Sequence, residues 1–394
     1  MINIGGKNMP ELSSRLDWFS ESVIRKMTRI ANKYGAINLS QGFPDFDPPK
    51  EILEALKEVS EKGPHQYSVT WGAQNFREKL ALKQEKFMGI NINPDENVLV
   101  TCGSTEAMMC AMMSVCDPGD KVIVFSPFYE NYTADTILSG SEPIYVELKP
   151  PAFNFDKEEL RNAFKKNPKA LILCNPSNPT GKVFTEEELL YIGSLAKEYD
   201  TFVITDEVYE HIIFKPYKHT YLSSLEGMFE RTISCSSLSK TYSITGWRLG
   251  YIIASKEVIE NCKKVHDFLT VGAAAPLQEA AIKGLEFEQA YYEELNNTYE
   301  KKRKLFLDGL DEIGLKYYEP QGAYYVMVDI SEFGYDDDYE FCKWLAKEIG
   351  VAAVPGSSFF REKVNNYIRF HFAKKEETLK EALRRLQKLK EYQK

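Results

Sequence analysis

Between residues 98 and 254, short apolar runs alternate with helical patterns, and that alternation restricts the chain to few folds. Residues 98–101, 122–125, 170–174, 202–205, 232–236 and 251–254 are each apolar enough to be buried on both faces and short enough to be strands. Helix-like stretches lie between several of them. The stretch 185–199 opens with Thr185 and has Glu188 three residues on, the spacing of a capping box. Strand–helix alternation predicts a mainly parallel sheet covered by helices on both faces, an α/β fold.

The ends read differently. Residues 374–394 predict a helix with Leu379, Leu383, Leu386 and Leu389 on one face. Just before it, residues 367–372 alternate: Ile368, Phe370 and Phe372 share one face, Arg369 and His371 the other. This mix predicts a smaller α+β unit. With 394 residues the chain exceeds the usual single-domain size. We expect a large domain over 51–289 and a small one built from 1–50 and 290–394.

The formal net charge of −9, without a basic block, argues against nucleic acid as partner. No apolar run is long enough to span a bilayer, and residues 1–20 lack the apolar core of a signal peptide. Seven cysteines with no CxxC pairing fit reduced thiols in the cytoplasm, not disulfides or a metal site.

In such sheets ligands bind beyond the carboxyl ends of the strands. Those ends carry Cys102-Gly103-Ser104-Thr105-Glu106, then Asn175-Pro176-Ser177-Asn178-Pro179-Thr180-Gly181, then Asp206-Glu207-Val208-Tyr209, then Ser237-Leu238-Ser239-Lys240-Thr241-Tyr242. Taken singly each has a plain reading: a helix cap, a turn, a capping Asp, a surface lysine. Together they bring an anion-suited turn, an amide, a carboxylate and an amine to one sheet edge.

At these residues the chain resembles the class I and II aminotransferases of fold type I, over nearly its whole length. The block from Ser237 through Lys240 to Thr245-Gly246-Trp247-Arg248-Leu249-Gly250 is similar to the family's pyridoxal-phosphate attachment signature. The blocks at 175–181 and 206–209, and Arg369 in Tyr-Ile-Arg-Phe-His-Phe, match further family motifs. Asn38-Leu39-Ser40-Gln41-Gly42-Phe43-Pro44-Asp45-Phe46 and Glu130-Asn131-Tyr132 are similar to the kynurenine, glutamine and aromatic aminotransferase branch.

The resemblance implies a ping-pong transfer of an α-amino group to a 2-oxo acid, and it implies roles. Lys240 holds pyridoxal 5′-phosphate as a Schiff base and moves the proton. Asp206 pairs with the ring nitrogen, Asn178 and Tyr209 with the phenolic oxygen, and Phe128 stacks on the ring. Ser104, Thr105, Ser237 and Arg248 hold the phosphate, with Tyr67 donated by a neighbouring subunit of a homodimer. Arg369 clamps the substrate carboxylate, with Asn178 and Gly42 close to it. Trp247 reads as packing.

The substrate side chain is less constrained. The helix after the Gly-Ser-Thr turn runs Ala107-Met108-Met109-Cys110-Ala111-Met112-Met113, core filler with no cation for a second carboxylate. The 271–276 loop is small and apolar, which departs from kynurenine-type relatives. We expect an aromatic or large neutral donor, with 2-oxoglutarate-like acceptors. Aspartate transamination, C–S β-elimination, decarboxylating acyl transfer and a non-catalytic regulator on the same fold are the alternatives.

Overall fold

The computed structural model describes residues 11–19 and 21–392. All six apolar runs form strands of one eight-stranded sheet. Its order is Val98–Thr101, Gly250–Ile253, Thr232–Ser237, Phe202–Asp206, Ala170–Cys174, Lys121–Ser126, Glu142–Lys149, Asn154–Phe155. The five strands from Thr232–Ser237 to Glu142–Lys149 are parallel.

Helices cover both faces, which is why strands such as Ala170–Cys174 are apolar throughout, while Thr232–Ser237 alternates small hydroxyl residues with Ile233 and Cys235 yet is buried along its length. Val122, Val124, Ile172, Ile204 and Ile233 pack against Met108 and Met112 of helix Ser104–Val115 and against Val258 and Ile259 of helix Lys256–Thr270. Ile123, Phe125, Leu171, Leu173 and Val203 pack on the opposite side against Leu160, Leu189, Ile192 and Leu195. Two of the four methionines in the 107–113 stretch, Met108 and Met112, are core, as expected. Helix Glu186–Glu198 carries the full capping box, Thr185 accepting from the Glu188 N–H and Glu188 from the Thr185 N–H. Such a cap contributes about 1 kcal/mol.

One strand departs from the parallel set. Gly250–Ile253 runs against both of its neighbours. Gly250 therefore pairs with Thr101 and with Ser237, at the carboxyl edge of the sheet. Arg248, two residues earlier, enters that edge from the amino end of a strand.

A second, antiparallel sheet is ordered Lys316–Tyr318, Tyr325–Asp329, Tyr367–His371, Val354–Pro355. It shares a core with helix Gln289–Ile313 and with Leu379, Leu383, Leu386 and Leu389 near the carboxyl end. The C-terminal α-helix is Glu376–Leu386, continued as a 3-10 turn to Glu391; the end of the expected helix, 393–394, lies outside the described residues. The chain's beginning joins this unit, since Ile37–Asn38 pairs in parallel with Val351–Ala352. Arg369 and His371 are buried like their neighbours, so neither face of that strand meets solvent.

Candidate active site

The carboxyl edge of the large sheet opens into a cavity of about 790 Å³. Gly42, Ser104, Thr105, Phe128, Asn178, Asp206, Tyr209, Ser237, Lys240, Arg248 and Arg369 all line it. Tyr67 does not; it is 88% exposed, on the outer surface.

The anion-suited turn forms where strand Val98–Thr101 meets helix Ser104–Val115. Gly103 has φ +82° and no side chain caps the helix. The first-turn N–H groups thus point outward with the positive helix end behind them. A Cβ on Gly103 would collide with the Arg248 guanidinium, and one on Gly250 with the Gly103–Ser104 backbone. The two glycines let the arginine lie against the turn. Arg248 itself has φ +54°, held as its Nη1 donates to the Thr245 carbonyl at 3.0 Å.

Asp206 is the last residue of its strand and is buried. Burial pushes its carboxyl up; hydrogen bonds from Tyr132 and the Val208 N–H, and the charge of Lys240, oppose that push. The Tyr132 hydroxyl donates to Asp206 Oδ2 at 2.7 Å.

Lys240 reaches into the cavity from the turn after strand Thr232–Ser237. Its Nζ donates to the Gly42 carbonyl at 3.3 Å and lies 5.9 and 5.8 Å from the Tyr209 and Tyr324 ring centroids. Burial lowers its amine to about 8, against the pull of Asp206 and with the help of Arg248 and Arg369. Tyr209 and Tyr325 share a hydroxyl–hydroxyl bond of 2.7 Å, and the Tyr324 hydroxyl donates to the Gly42 carbonyl at 2.9 Å. Gly42 is required there, because a Cβ would overlap the Tyr325 ring.

Arg369 is 1% exposed and sits between the Tyr325 and Phe359 rings, 4.1 and 4.7 Å from their centroids. Nη1 donates to Asn178 Oδ1 at 2.5 Å and Nη2 to the Ser40 carbonyl at 2.8 Å. Its Nε has no acceptor among the described residues. A buried guanidinium with an open donor suits a carboxylate that arrives from outside.

This arrangement is that of a sheet-edge site with amine, carboxylate and guanidinium facing one space, and comparison with known proteins gives it a family. The family description "Aminotransferase class I and II" matches residues 34–386. The chain belongs to the class I and II aminotransferases. It is a transaminase-class enzyme of fold type I, and its cofactor is pyridoxal phosphate. The solved N-succinyldiaminopimelate aminotransferase of Mycobacterium tuberculosis is 36% identical, with a TM-score of 0.93 over 96% of this chain and 100% of that one. The methionine aminotransferase of Escherichia coli is 36% identical over 95% of this chain and 98% of its own length. Human kynurenine–oxoglutarate transaminase 1 is 33% identical over 95% and 97%. These relatives are named for different amino donors, so family membership leaves this aminotransferase's substrate open.

Several lining residues of the aminotransferase carried no readable signal. Tyr132 belongs to the Glu130-Asn131-Tyr132 motif, whose spacing does not reveal its contact with Asp206. Tyr325 belongs to an ordinary apolar strand. Arg25, at the first turn of helix Val23–Tyr34, lines the cavity from a distant part of the chain. No hydrogen bond or ion pair holds its side chain among the described residues. Glu130 lines the same cavity and accepts from Ser22 Oγ at 2.6 Å and the Val23 N–H at 2.9 Å, which fixes the helix start against the cavity wall. Among the described residues, no helix is long and apolar enough to cross a membrane.

Proposed function

We propose that this aminotransferase carries an α-amino group from an aromatic or large neutral L-amino acid to a dicarboxylic 2-oxo acid, with Lys240 as the cofactor-bearing and proton-moving residue. The observation that carries this reading is the meeting of Lys240, Asp206 and Arg369 at one cavity, with three different chemistries aimed at one substrate-sized space. Bound pyridoxal phosphate supplies an aldehyde that accepts the amino group and a ring that holds the electron pair left when the Cα–H bond breaks.

The residues present fit that group. The uncapped helix start, Ser104, Thr105, Ser237 and Arg248 offer donors to a phosphate, and Gly103 and Gly250, lacking side chains, let Arg248 lie against that turn. The Asp206 carboxylate keeps a proton on the ring nitrogen. Asn178 and Tyr209 would donate to the phenolic oxygen, and Phe128 would pack on the ring. With the cofactor bound, the Lys240 amine would be the group that takes up and returns the substrate's Cα proton, a task that a lowered proton affinity suits. Arg369 holds the α-carboxylate, using the donor that the protein leaves unpaired.

Substrate class rests on the walls. Phe128, Tyr129, Tyr132 and Tyr325 give an aromatic lining that suits a large neutral side chain. Arg25 is a lining cation whose side chain makes no hydrogen bond or salt bridge among the described residues, and a distal carboxylate of the acceptor fits it. The exposed Tyr67 fits a role in a neighbouring subunit's site, hence a homodimer. The separation of the two sheets supports a large domain over 51–289 with both chain ends in a smaller one, and seven unpaired cysteines support a reducing compartment, the cytoplasm.

The test is a donor panel with 2-oxoglutarate as acceptor. Phenylalanine, methionine and glutamine should react, and the protein should lose its yellow colour on adding donor alone. Aspartate outpacing all three by orders of magnitude would overturn the neutral preference. A protein unable to take up the cofactor would overturn the reading as a whole.

A further inference from the structure

Behind the anion-suited turn, outside the cavity, lies a buried polar cluster that the chemistry above does not use. Glu106 is the third residue of helix Ser104–Val115, directly after Ser104 and Thr105. Its carboxylate folds back to accept from the Cys102 backbone N–H and from Thr270 Oγ1 at 2.9 Å. His266 Nδ1 lies 2.5 Å from Glu106 Oε1. Burial pushes the Glu106 carboxyl up, but the hydrogen bond and charge of His266 hold it below the ordinary carboxylate value.

The other ring nitrogen faces a different segment. His266 Nε2 lies 2.9 Å from the Thr70 carbonyl, which can only accept, so Nε2 carries a proton. His266 is wholly buried between the two. The segment it grips is the one that presents Tyr67. Gln278 pins the same segment, accepting from the Ala73 N–H at 2.8 Å and donating to Ser68 Oγ at 3.1 Å. Val271, following Thr270, holds φ +67°, a conformation a β-branched residue avoids. Such strain persists only where its surroundings hold the chain in place.

We propose that Glu106 and His266 are positioning residues: one buried carboxylate–imidazole hydrogen bond fixes the Cys102–Gly103–Ser104 turn to the Tyr67-bearing segment, so that both sets of phosphate donors are aimed together. This rests on the reading that the turn holds the cofactor phosphate. Glu106 aligns the backbone of Cys102 from inside the helix, and His266 transmits that alignment across to Thr70. Loss of either partner releases the turn without touching the amine, the ring carboxylate or the substrate clamp.

The experiment compares two ligands on the full-length apoprotein: pyridoxal phosphate, and pyridoxal, which lacks the phosphate. Glu106→Gln and His266→Asn should each weaken pyridoxal phosphate about tenfold, while pyridoxal binding stays within about twofold. The double variant should bind no worse than the weaker single, because the two act as one unit. On the Glu106→Gln background, Tyr67→Phe should cost less than it does alone. Equal weakening of both ligands, or no change in either, overturns the proposal. If both single variants fail to fold, Thr270→Val, which removes one exposed donor to the same carboxylate, decides by the same comparison. Ser104→Ala separates the two readings. If it too shows no preference between the ligands, the phosphate assignment of the turn fails. If it discriminates and the Glu106 and His266 variants do not, only the positioning role fails.

Discussion

The Tyr132 hydroxyl donates to Asp206 Oδ2 at 2.7 Å, joining a short helix at the cavity wall to the carboxyl end of a central strand. Tyr132 and Asp206 are both buried. The bond opposes the rise that burial imposes on the Asp206 carboxyl. Tyr132→Phe should let that carboxyl rise further, so its charged form is lost at higher pH as acidity increases. The acid limb of kcat/KM should shift upward in pH, and the plateau should fall by roughly tenfold. A pH–rate profile with an unmoved acid limb would refute this.

Burial lowers the Lys240 amine to about 8 in the cofactor-free protein. An amine attacks an aldehyde only when neutral, and the neutral fraction grows as pH rises through that value. The rate at which apoprotein captures pyridoxal phosphate should therefore rise up to about pH 8 and level off above it. Stopped-flow absorbance across pH 6–11 measures this (a range chosen to be roughly centred on the perturbed and ordinary lysine values). A rate still climbing past the ordinary lysine range would show that the site does not depress the amine.

Arg369 already spends two nitrogens on Asn178 and Ser40. A lysine there keeps a charge but loses the planar fork. Arg369→Lys should raise KM for both amino acid and 2-oxo acid by roughly 10- to 100-fold, with the cofactor spectrum unchanged. Altered cofactor binding with normal KM would place the residue elsewhere in the chemistry.

Arg25 lines the cavity, its side chain in no hydrogen bond or salt bridge among the described residues. Arg25→Gln should raise KM for 2-oxoglutarate by about tenfold and leave that for pyruvate nearly unchanged, since pyruvate has no distal carboxylate. Equal effects on both acceptors would remove Arg25 from acceptor recognition.

A stability prediction concerns a second buried pair. Lys83 Nζ lies 3.7 Å from Glu210 Oε1, and Glu210 also accepts from Tyr221 at 2.5 Å and Tyr251 at 2.7 Å. Burial lowers the Lys83 amine, while Lys83 and its neighbours hold Glu210 ionised against its own burial. Lys83→Met leaves that carboxylate without its cation and should cost about 3–5 kcal/mol in urea unfolding. A loss below about 1 kcal/mol would mean the tyrosine hydroxyls suffice.

The strand ends were readable where a buried parallel strand such as Ala170–Cys174 is a short apolar run, so that its polar continuation stands out. Strand Glu142–Lys149 escaped that reading: only Ile144, Val146 and Leu148 are fully buried, and Pro143 and flanking charges blur the pattern. Lys240, Asp206 and Asn178 could be placed because each follows such a strand. Arg25 and Tyr325 could not, because their relation to the cavity depends on how separate parts of the chain pack. The burial of Arg369 was hidden for a similar reason. Alternation along residues 367–371 distinguishes two faces, but it does not report that aromatic rings cover both.

The route of the chain also imposes an order on biosynthesis. Ser104, Asp206, Lys240 and Arg248 have all been made once strand Gly250–Ile253 closes the large sheet. Arg369 comes far later, and the Ser40 carbonyl that steadies it waits on the pairing of Ile37–Asn38 with Val351–Ala352. Once the chain as far as residue 253 has left the ribosome, the amine and carboxylate can meet at one sheet edge before Arg369 has joined them. Selectivity for amino acids would belong only to the finished molecule.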